Sequence, residues 1–346
     1  MRYKLLGHSG LRVSEICLGT MTFGETWGDM GASPDVCRTI YDAYRARGGN
    51  FVDTANNYTG GTSERIVGEC VASERDRVVL ATKYTLNTRP DDPNGGGNHR
   101  KNMVQSLEQS LERLGTDYID LYWVHIWDFA TPTDEVLRGL DDLVRAGKIL
   151  YIGVSDTPAW VVSRANTIAE LRGWSRFIGL QIEYNLLERT PERELLPMAA
   201  ALEIGVTAWS PLASGVLSGK HTAGGSVDTG RPRMAGARVN DRTRAIVEVL
   251  TAVAGELGRS PAQVALNWLR AGAWPTIPIL GARKLAQLQD NLGCLDFELE
   301  PAAIARLNAA SAVELGFPHD FAASEAVRRL IFGATLPRLD LPRRGA

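Results

Sequence analysis

Eight short apolar runs, separated by stretches of helical period, constrain this chain more than any other feature. They are EICLGT (15–20), NFVDTA (50–55), VVLATK (78–83), YIDLYWVH (118–125), ILYIGVS (149–155), FIGLQIEY (177–184), GVTAWSP (205–211) and PTIPILG (275–281). Most are continuously hydrophobic rather than alternating, the pattern of strands covered on both faces in a parallel sheet. Amphipathic segments lie between them. In KNMVQSLEQSLERLG, for example, Met103, Leu107, Leu111 and Leu114 share one stripe. Except near the end of the chain, each strand-plus-helix unit takes roughly 25–35 residues, enough for a parallel crossover. Eight units predict an α/β fold closed into a (β/α)8 TIM barrel, with functional loops at the C-terminal ends of the strands. The competitor is an open doubly wound sheet, but no G-x-G-x-x-G follows any strand. Ser33-Pro34, Thr157-Pro158, Thr190-Pro191 and Ser260-Pro261 predict helix starts, the last with Gln263 as a capping box.

No boundary resembles an interdomain linker, so residues 1–312 are expected to form one barrel domain and 313–346 a C-terminal extension. For the extension two readings stay open, a flap over the barrel mouth and an oligomer contact. The glycine-rich stretch GKHTAGGSVDTGRPRM in the longest unit reads as a mobile insertion at the mouth.

Composition narrows the function. The net charge of −2 gives no reason to expect nucleic acid or an acidic membrane as partner. No stretch approaches the ~18 apolar residues of a membrane span, and the N-terminus lacks a sustained apolar core of a signal peptide. The four cysteines, Cys17, Cys37, Cys70 and Cys294, are far apart and predict reduced thiols in a cytoplasmic protein.

Three polar, titratable residues end three consecutive apolar runs: Asp53, Lys83 and His125. In a parallel barrel all such ends share one rim, with neighbouring strands about 4.8 Å apart. Tyr58 hangs in the loop above Asp53. A free phenol has a pKa of about 10, and an adjacent ammonium lowers it. Lys83 is expected to supply that charge, with Asp53 compensating the buried lysine and His125 donating a hydrogen bond to a substrate oxygen. Singly, each residue is more often a cap, a solvated strand end or a satisfied core group. Jointly, on consecutive strands, they read as a proton donor for an oxygen that becomes an alcohol.

These motifs, DTANNYTGG, ATKY and VHIWD, are similar to those of the aldo-keto reductases, and the resemblance runs from GLRVSEICLGTMTFGETWG to LQDNLG. It implies a barrel, a nicotinamide cofactor bound without a Rossmann fold, and reversible carbonyl reduction. Tyr58 is then the general acid, Lys83 and Asp53 tune it, and His125 orients the carbonyl. The resemblance implies that Ser155, Asp156 and Gln181 hold the carboxamide, although the family more often has Asn where this chain has Asp156. It implies that Trp209 stacks on the nicotinamide ring, that Ser210, Leu212, Ser214 and Gly215 wrap the pyrophosphate with backbone N–H groups, and that Pro211, Leu217 and Lys220 also contact the cofactor. Gly19, Thr20, Met21 and Ile279 are further implied contacts. A Walker A reading of GVLSGKH fails, because only three residues separate Gly215 from Gly219 and His221 replaces the needed hydroxyl. Gly281, Arg283, Gln287 and Asn291, where the last strand enters a helix, are the implied site of the adenosine 2′-phosphate and adenine. A planar cationic fork suits a phosphate, which favours NADPH over NADH.

Trp27, Tyr58, His125 and Trp127, with Phe129 behind them, are the expected aromatic rim for an apolar aldehyde or ketone. Two rivals remain. Channel β-subunits resemble this family and act as cofactor-binding regulatory partners, against which stand the intact tetrad and the absence of a long N-terminal extension. A metal-dependent hydrolase on the same barrel would need ligands, yet the five histidines form no H-x-H or H-E-x-x-H. No metal is expected, and the assembly state is not legible.

Overall fold

A computed structural model of the chain describes residues 1–28, 31–219 and 240–340. Lys220, His221 and the glycine-rich insertion lie outside the described residues, as does the tail beyond Asp340.

The eight runs form eight parallel strands in a closed barrel: β3 (Cys17–Gly19), β4 (Phe51–Asp53), β5 (Val79–Tyr84), β6 (Ile119–Val124), β7 (Ile149–Ser155), β8 (Phe177–Glu183), β9 (Gly205–Trp209) and β10 (Ile277–Leu280). They pair in chain order, and β10 closes the ring against β3. Each strand is as long as, or shorter than, its apolar run, because the ends turn into polar rim residues. The helices between them include α1 (Pro34–Ala46), α2 (Thr62–Val71), α3 (Arg100–Leu114), α4 (Thr133–Arg145), α5 (Ala159–Arg172) and α6 (Leu195–Ala201). After the insertion come α7 (Asp241–Leu257), α8 (Pro261–Ala271) and α9 (Leu285–Leu292). The main core lies between this helical layer and the outer face of the barrel, and includes Tyr44, Met103, Leu107, Leu137, Val162 and Leu250.

The barrel interior is a second apolar cluster built around Trp123. Two glycines make room for its ring. A Cβ on Gly179 of β8 would meet Trp123 Cη2 at 2.8 Å, and one on Gly153 of β7 would meet the same ring more closely still. An antiparallel hairpin, β1 (Tyr3–Leu5) with β2 (Arg12–Ser14), precedes the barrel. It contributes Leu6 and Val13 to this interior cluster, beside Cys17, Phe51 and Ile277 at the strand starts. Sequence reading missed the hairpin, since three-residue strands with exposed tyrosine and leucine carry no periodic signal.

Helix starts depart in detail from the expectation. Ser260 caps α8 by accepting from Gln263 N–H at 3.2 Å. The Gln263 amide, however, goes to Asp290 O and Oδ1 at 3.0 and 2.9 Å, so the capping box does not close. Ser33 makes no side-chain cap bond. Thr157 sits one residue too early: Pro158 takes the cap position, and the threonine hydroxyl donates back to Ser155 O. Thr190–Glu192 is a single 3-10 turn, and α6 starts only at Leu195.

Beyond α10 (Pro301–Ser311) the extension forms two short helices, α11 (His319–Ala323) and α12 (Glu325–Phe332), with no buried residue. Arginine ties hold its root: Arg242 Nη2 donates to Ser311 O at 3.0 Å and Arg193 Nη2 to Glu314 O at 2.8 Å. All four cysteines are buried and free. No described helix is long and apolar enough to cross a membrane.

Candidate active site

Asp53 is the last residue of β4, in register with Gly19 of β3 and Ala81 of β5. Lys83, near the end of β5, lies wholly inside the protein with no exposed surface. A buried ammonium needs its three donors satisfied. Its Nζ is ion-paired with Asp53 Oδ2, donates to Thr54 O at 2.8 Å, and donates to the Tyr58 hydroxyl at 3.2 Å. Tyr58 reaches that point because the chain doubles back after it. Thr59, Gly60 and Gly61 all have positive φ, at 47°, 65° and 87°. Two glycines take this conformation without a steric penalty. Thr59 is held in it by donating to Phe23 O at 2.7 Å and accepting from Ser63 N–H at 2.9 Å. The YTGG motif is therefore the device that hangs the phenol over the barrel. His125 follows β6 directly, its ring edge-on to Tyr58 with centroids 5.9 Å apart.

Burial pushes the Asp53 carboxyl up, and Lys83 and the Gln181 amide pull it back only in part. Burial would drive Lys83 down, but Asp53 and the phenol together hold it above the usual lysine value. His125 lies well below the ordinary histidine value, through burial first and the Lys83 charge second, so its ring is neutral at physiological pH. The expectation for Tyr58 is corrected. Burial raises the phenol above its ordinary value, and Lys83 offsets this only in part because Asp53 stands beside it.

The expected cofactor residues line the same rim, but several are already paired with each other. Gln181 spans the barrel interior from β8, and its Nε2 donates to Asp53 Oδ1 at 3.2 Å. Asp156, exposed just past β7, accepts from Trp209 Nε1 at 2.9 Å. Ser155 is buried. After β9, Ser210, Ala213, Ser214 and Gly215 all have positive φ. Of the expected backbone donors, Ser214 N–H bonds Ser210 Oγ and Gly215 N–H bonds Leu212 O, so those two turn into the loop. Pro211 and Leu217 are buried there. Gly19 backs onto the Ile279 side chain, Thr20 Oγ1 donates to Asp53 O at 3.1 Å, and Met21 follows half-buried. At the last strand, α9 begins at Leu285, two residues after Arg283. Gln287 folds back to accept from Arg283 N–H at 3.0 Å, Asn291 is largely buried, and a side chain at Gly281 would meet only open space.

Among the aromatics, Trp27 is half-buried and edge-on to Tyr58 at 6.4 Å between centroids. Trp127 departs from the expected exposed rim: it is 6% exposed and packed in the main core. Phe129 is 71% exposed. Sequence reading missed Thr54, whose carbonyl takes one lysine donor, and Thr85, whose hydroxyl accepts from the His125 backbone N–H and donates to Asn98. For Thr85 the only signal was a polar residue directly after ATKY. Among the described residues no group of three His, Cys, Asp or Glu is placed to hold a metal ion.

A family model described as the aldo/keto reductase family matches residues 15–312. An aldo-keto reductase of Emericella nidulans is 37% identical, covering 93% of this chain and 84% of its own length. A norsolorinic acid reductase of Aspergillus flavus is 37% identical over 92% of this chain and 82% of its own length. A putative aryl-alcohol dehydrogenase of Saccharomyces cerevisiae is 36% identical, covering 90% of this chain and 86% of its own.

Proposed function

The chain belongs to the aldo/keto reductase family, and from that premise we propose that it reduces aldehyde or ketone carbonyls to alcohols with NADPH, Tyr58 supplying the proton. The observation that carries this is the Lys83 ammonium held between Asp53 and the Tyr58 hydroxyl, 3.2 Å from the latter. NADPH, when bound, supplies the hydride that no side chain here can carry.

The residues present fit such a cofactor. Trp209 offers an aromatic face at the end of β9, half-buried. Ser155 ends β7, Asp156 follows it and Gln181 lies within the adjacent strand β8, and Arg283 stands just before α9, where barrels commonly take phosphate. The acceptor on Asp156 and the Gln181 amide are occupied by protein partners that an incoming carboxamide would replace. The cationic fork of Arg283 is the reason to prefer NADPH.

Each member of the tetrad then has a separable task. Tyr58 gives its proton to the carbonyl oxygen as that oxygen gains charge. At 3.2 Å, Lys83 attracts the resulting phenolate by on the order of 5 kcal/mol at an effective dielectric of ~20. Asp53 keeps the lysine charged, and Gln181 steadies Asp53. His125, neutral, donates a hydrogen bond to the same carbonyl oxygen and fixes its approach. Trp27 stands against Tyr58 where an apolar substrate would lie. Together with relatives named aryl-alcohol dehydrogenase and norsolorinic acid reductase, it makes aryl aldehydes and ketones the first substrates to try.

Tyr58→Phe tests the assignment. It should abolish reduction of an aryl-aldehyde panel while NADPH still quenches tryptophan fluorescence on binding. Turnover equal to that of the unaltered protein would sink it.

A further inference from the structure

Asp156 carries a charge that no cation answers directly. It follows β7 with φ 42°, and its N–H donates to Gln181 O at 3.2 Å. A residue with a side chain takes that conformation rarely. Here it goes with a carboxylate that reaches past β8, the strand between, to the aromatic on β9. Oδ1 accepts from Trp209 Nε1 at 2.9 Å. The second oxygen, Oδ2, has no hydrogen-bond partner among the described residues, and no described lysine or arginine forms an ion pair with the group.

The charges facing it are mostly negative. Glu183 ends β8 in register with Trp209. Lys83 is the one cation that acts on Asp156, and its ammonium is ion-paired with Asp53. Tyr58 is raised a little further by the Asp156 charge. Loss of solvent around the carboxyl raises it most, although the residue as a whole is exposed; Trp209 opposes this, Glu183 adds to it and Lys83 subtracts. The carboxyl ends at about 6, so it is ionised at neutral pH and loses its charge below that value. An asparagine here would make the same bond to the indole and bring no charge.

We propose that Asp156 is a specificity-determining residue for the redox state of the cofactor: its carboxylate makes the site hold the oxidised, positively charged nicotinamide more tightly than the reduced, uncharged one. The proposal rests on the cofactor reading above, in which the Trp209 face and the carboxamide both bring the ring to Asp156. A fixed negative charge aimed at a place where positive charge develops also favours the change that creates it. Hydride departure toward a carbonyl is that change, and slow release of NADP+ is its counterpart.

The test is calorimetric titration of the full-length protein with NADP+ and with NADPH, at pH ~7.5 and pH ~5.5, on either side of the Asp156 carboxyl. In the unaltered protein the preference for NADP+ over NADPH should fall about threefold at the lower pH, where Asp156 is largely neutral. Asp156→Asn keeps the acceptor for Trp209 and removes the charge. At the higher pH it should weaken NADP+ about fivefold, change NADPH by less than about twofold, and abolish the pH dependence of the preference. Contacts to the 2′-phosphate are common to both cofactors and cancel in the ratio. A preference that does not move with pH in the unaltered protein overturns the proposal, even if the variant fails to fold. So does a folded Asp156→Asn that weakens both cofactors equally. Failure of the unaltered protein to bind either cofactor would instead overturn the cofactor reading itself, and this proposal with it.

Discussion

Lys83 has three partners and three donors to give them, and the balance among them sets what Tyr58 can do. The sequence suggested a phenol brought down by its lysine neighbour, but burial and Asp53 win and the phenol sits above its ordinary value. A raised value keeps the acid form to higher pH. If Tyr58 is the acid as proposed, reduction should therefore persist without an alkaline downturn in kcat/KM below pH ~10, the ordinary tyrosine value. A downturn near neutrality in a pH–rate profile would reverse this conclusion. Arg283→Ala belongs to the same scale. It should raise the apparent constant for NADPH ten- to a hundredfold, about 1.4–2.8 kcal/mol, and barely change that for NADH. Equal weakening of both coenzymes would remove the phosphate role. Single residues were also where sequence reading was least complete. Asp53, Lys83 and His125 were legible as a group because they end apolar runs, and Tyr58 because it hangs in the loop just after the first of them. The bond from Gln181 to Asp53 was not, because it joins residues 128 apart across the interior of the barrel. Nor was the burial of Trp127, since a tryptophan two residues past a strand end reads equally well as rim or as core.

The strands were legible as elements because burial on both faces leaves no polar position to confuse the period, whereas the N-terminal hairpin had no such signature. Two of the four helix starts, Ser33-Pro34 and Ser260-Pro261, fall where expected, and the others miss for a local reason: a hydroxyl followed by proline marks a place where a helix can start, while the exact residue depends on what else the hydroxyl can bond, as Thr157 and Ser155 show. Within the barrel, β7 and β8 each give up a side chain to Trp123 of β6. Gly179→Ala should therefore destabilise the protein by roughly 1–3 kcal/mol through overpacking. Denaturant titration would read this. In the Trp123→Leu background the same substitution should cost much less, a coupling expected of side chains in contact. Equal costs in both backgrounds would mean that the glycine serves the backbone rather than the indole.

For the molecule as a whole, the barrel and its extension are unequal partners. Residues 1–312 contain the buried core, while α11 and α12 bury no residue and leave Phe317 at 84% exposure. Deleting residues 316–346 should shift the thermal midpoint by no more than about 2 °C, the scale of surface changes in a chain of this size. NADPH binding should be retained. A collapse of either on deletion would make the extension part of the domain. The hairpin is a different kind of appendage. Arg2 bonds Glu298 at 2.9 Å, Glu15 bonds Arg270 at 2.6 Å, and a Cβ on Gly7 would run into the backbone of Ile178, Glu203 and Gly205. Residues 2–15 emerge from the ribosome more than 250 residues ahead of some of these anchors. The plug at the base of the barrel is therefore made early in translation, while its last anchors, Arg270 and Glu298, are made late.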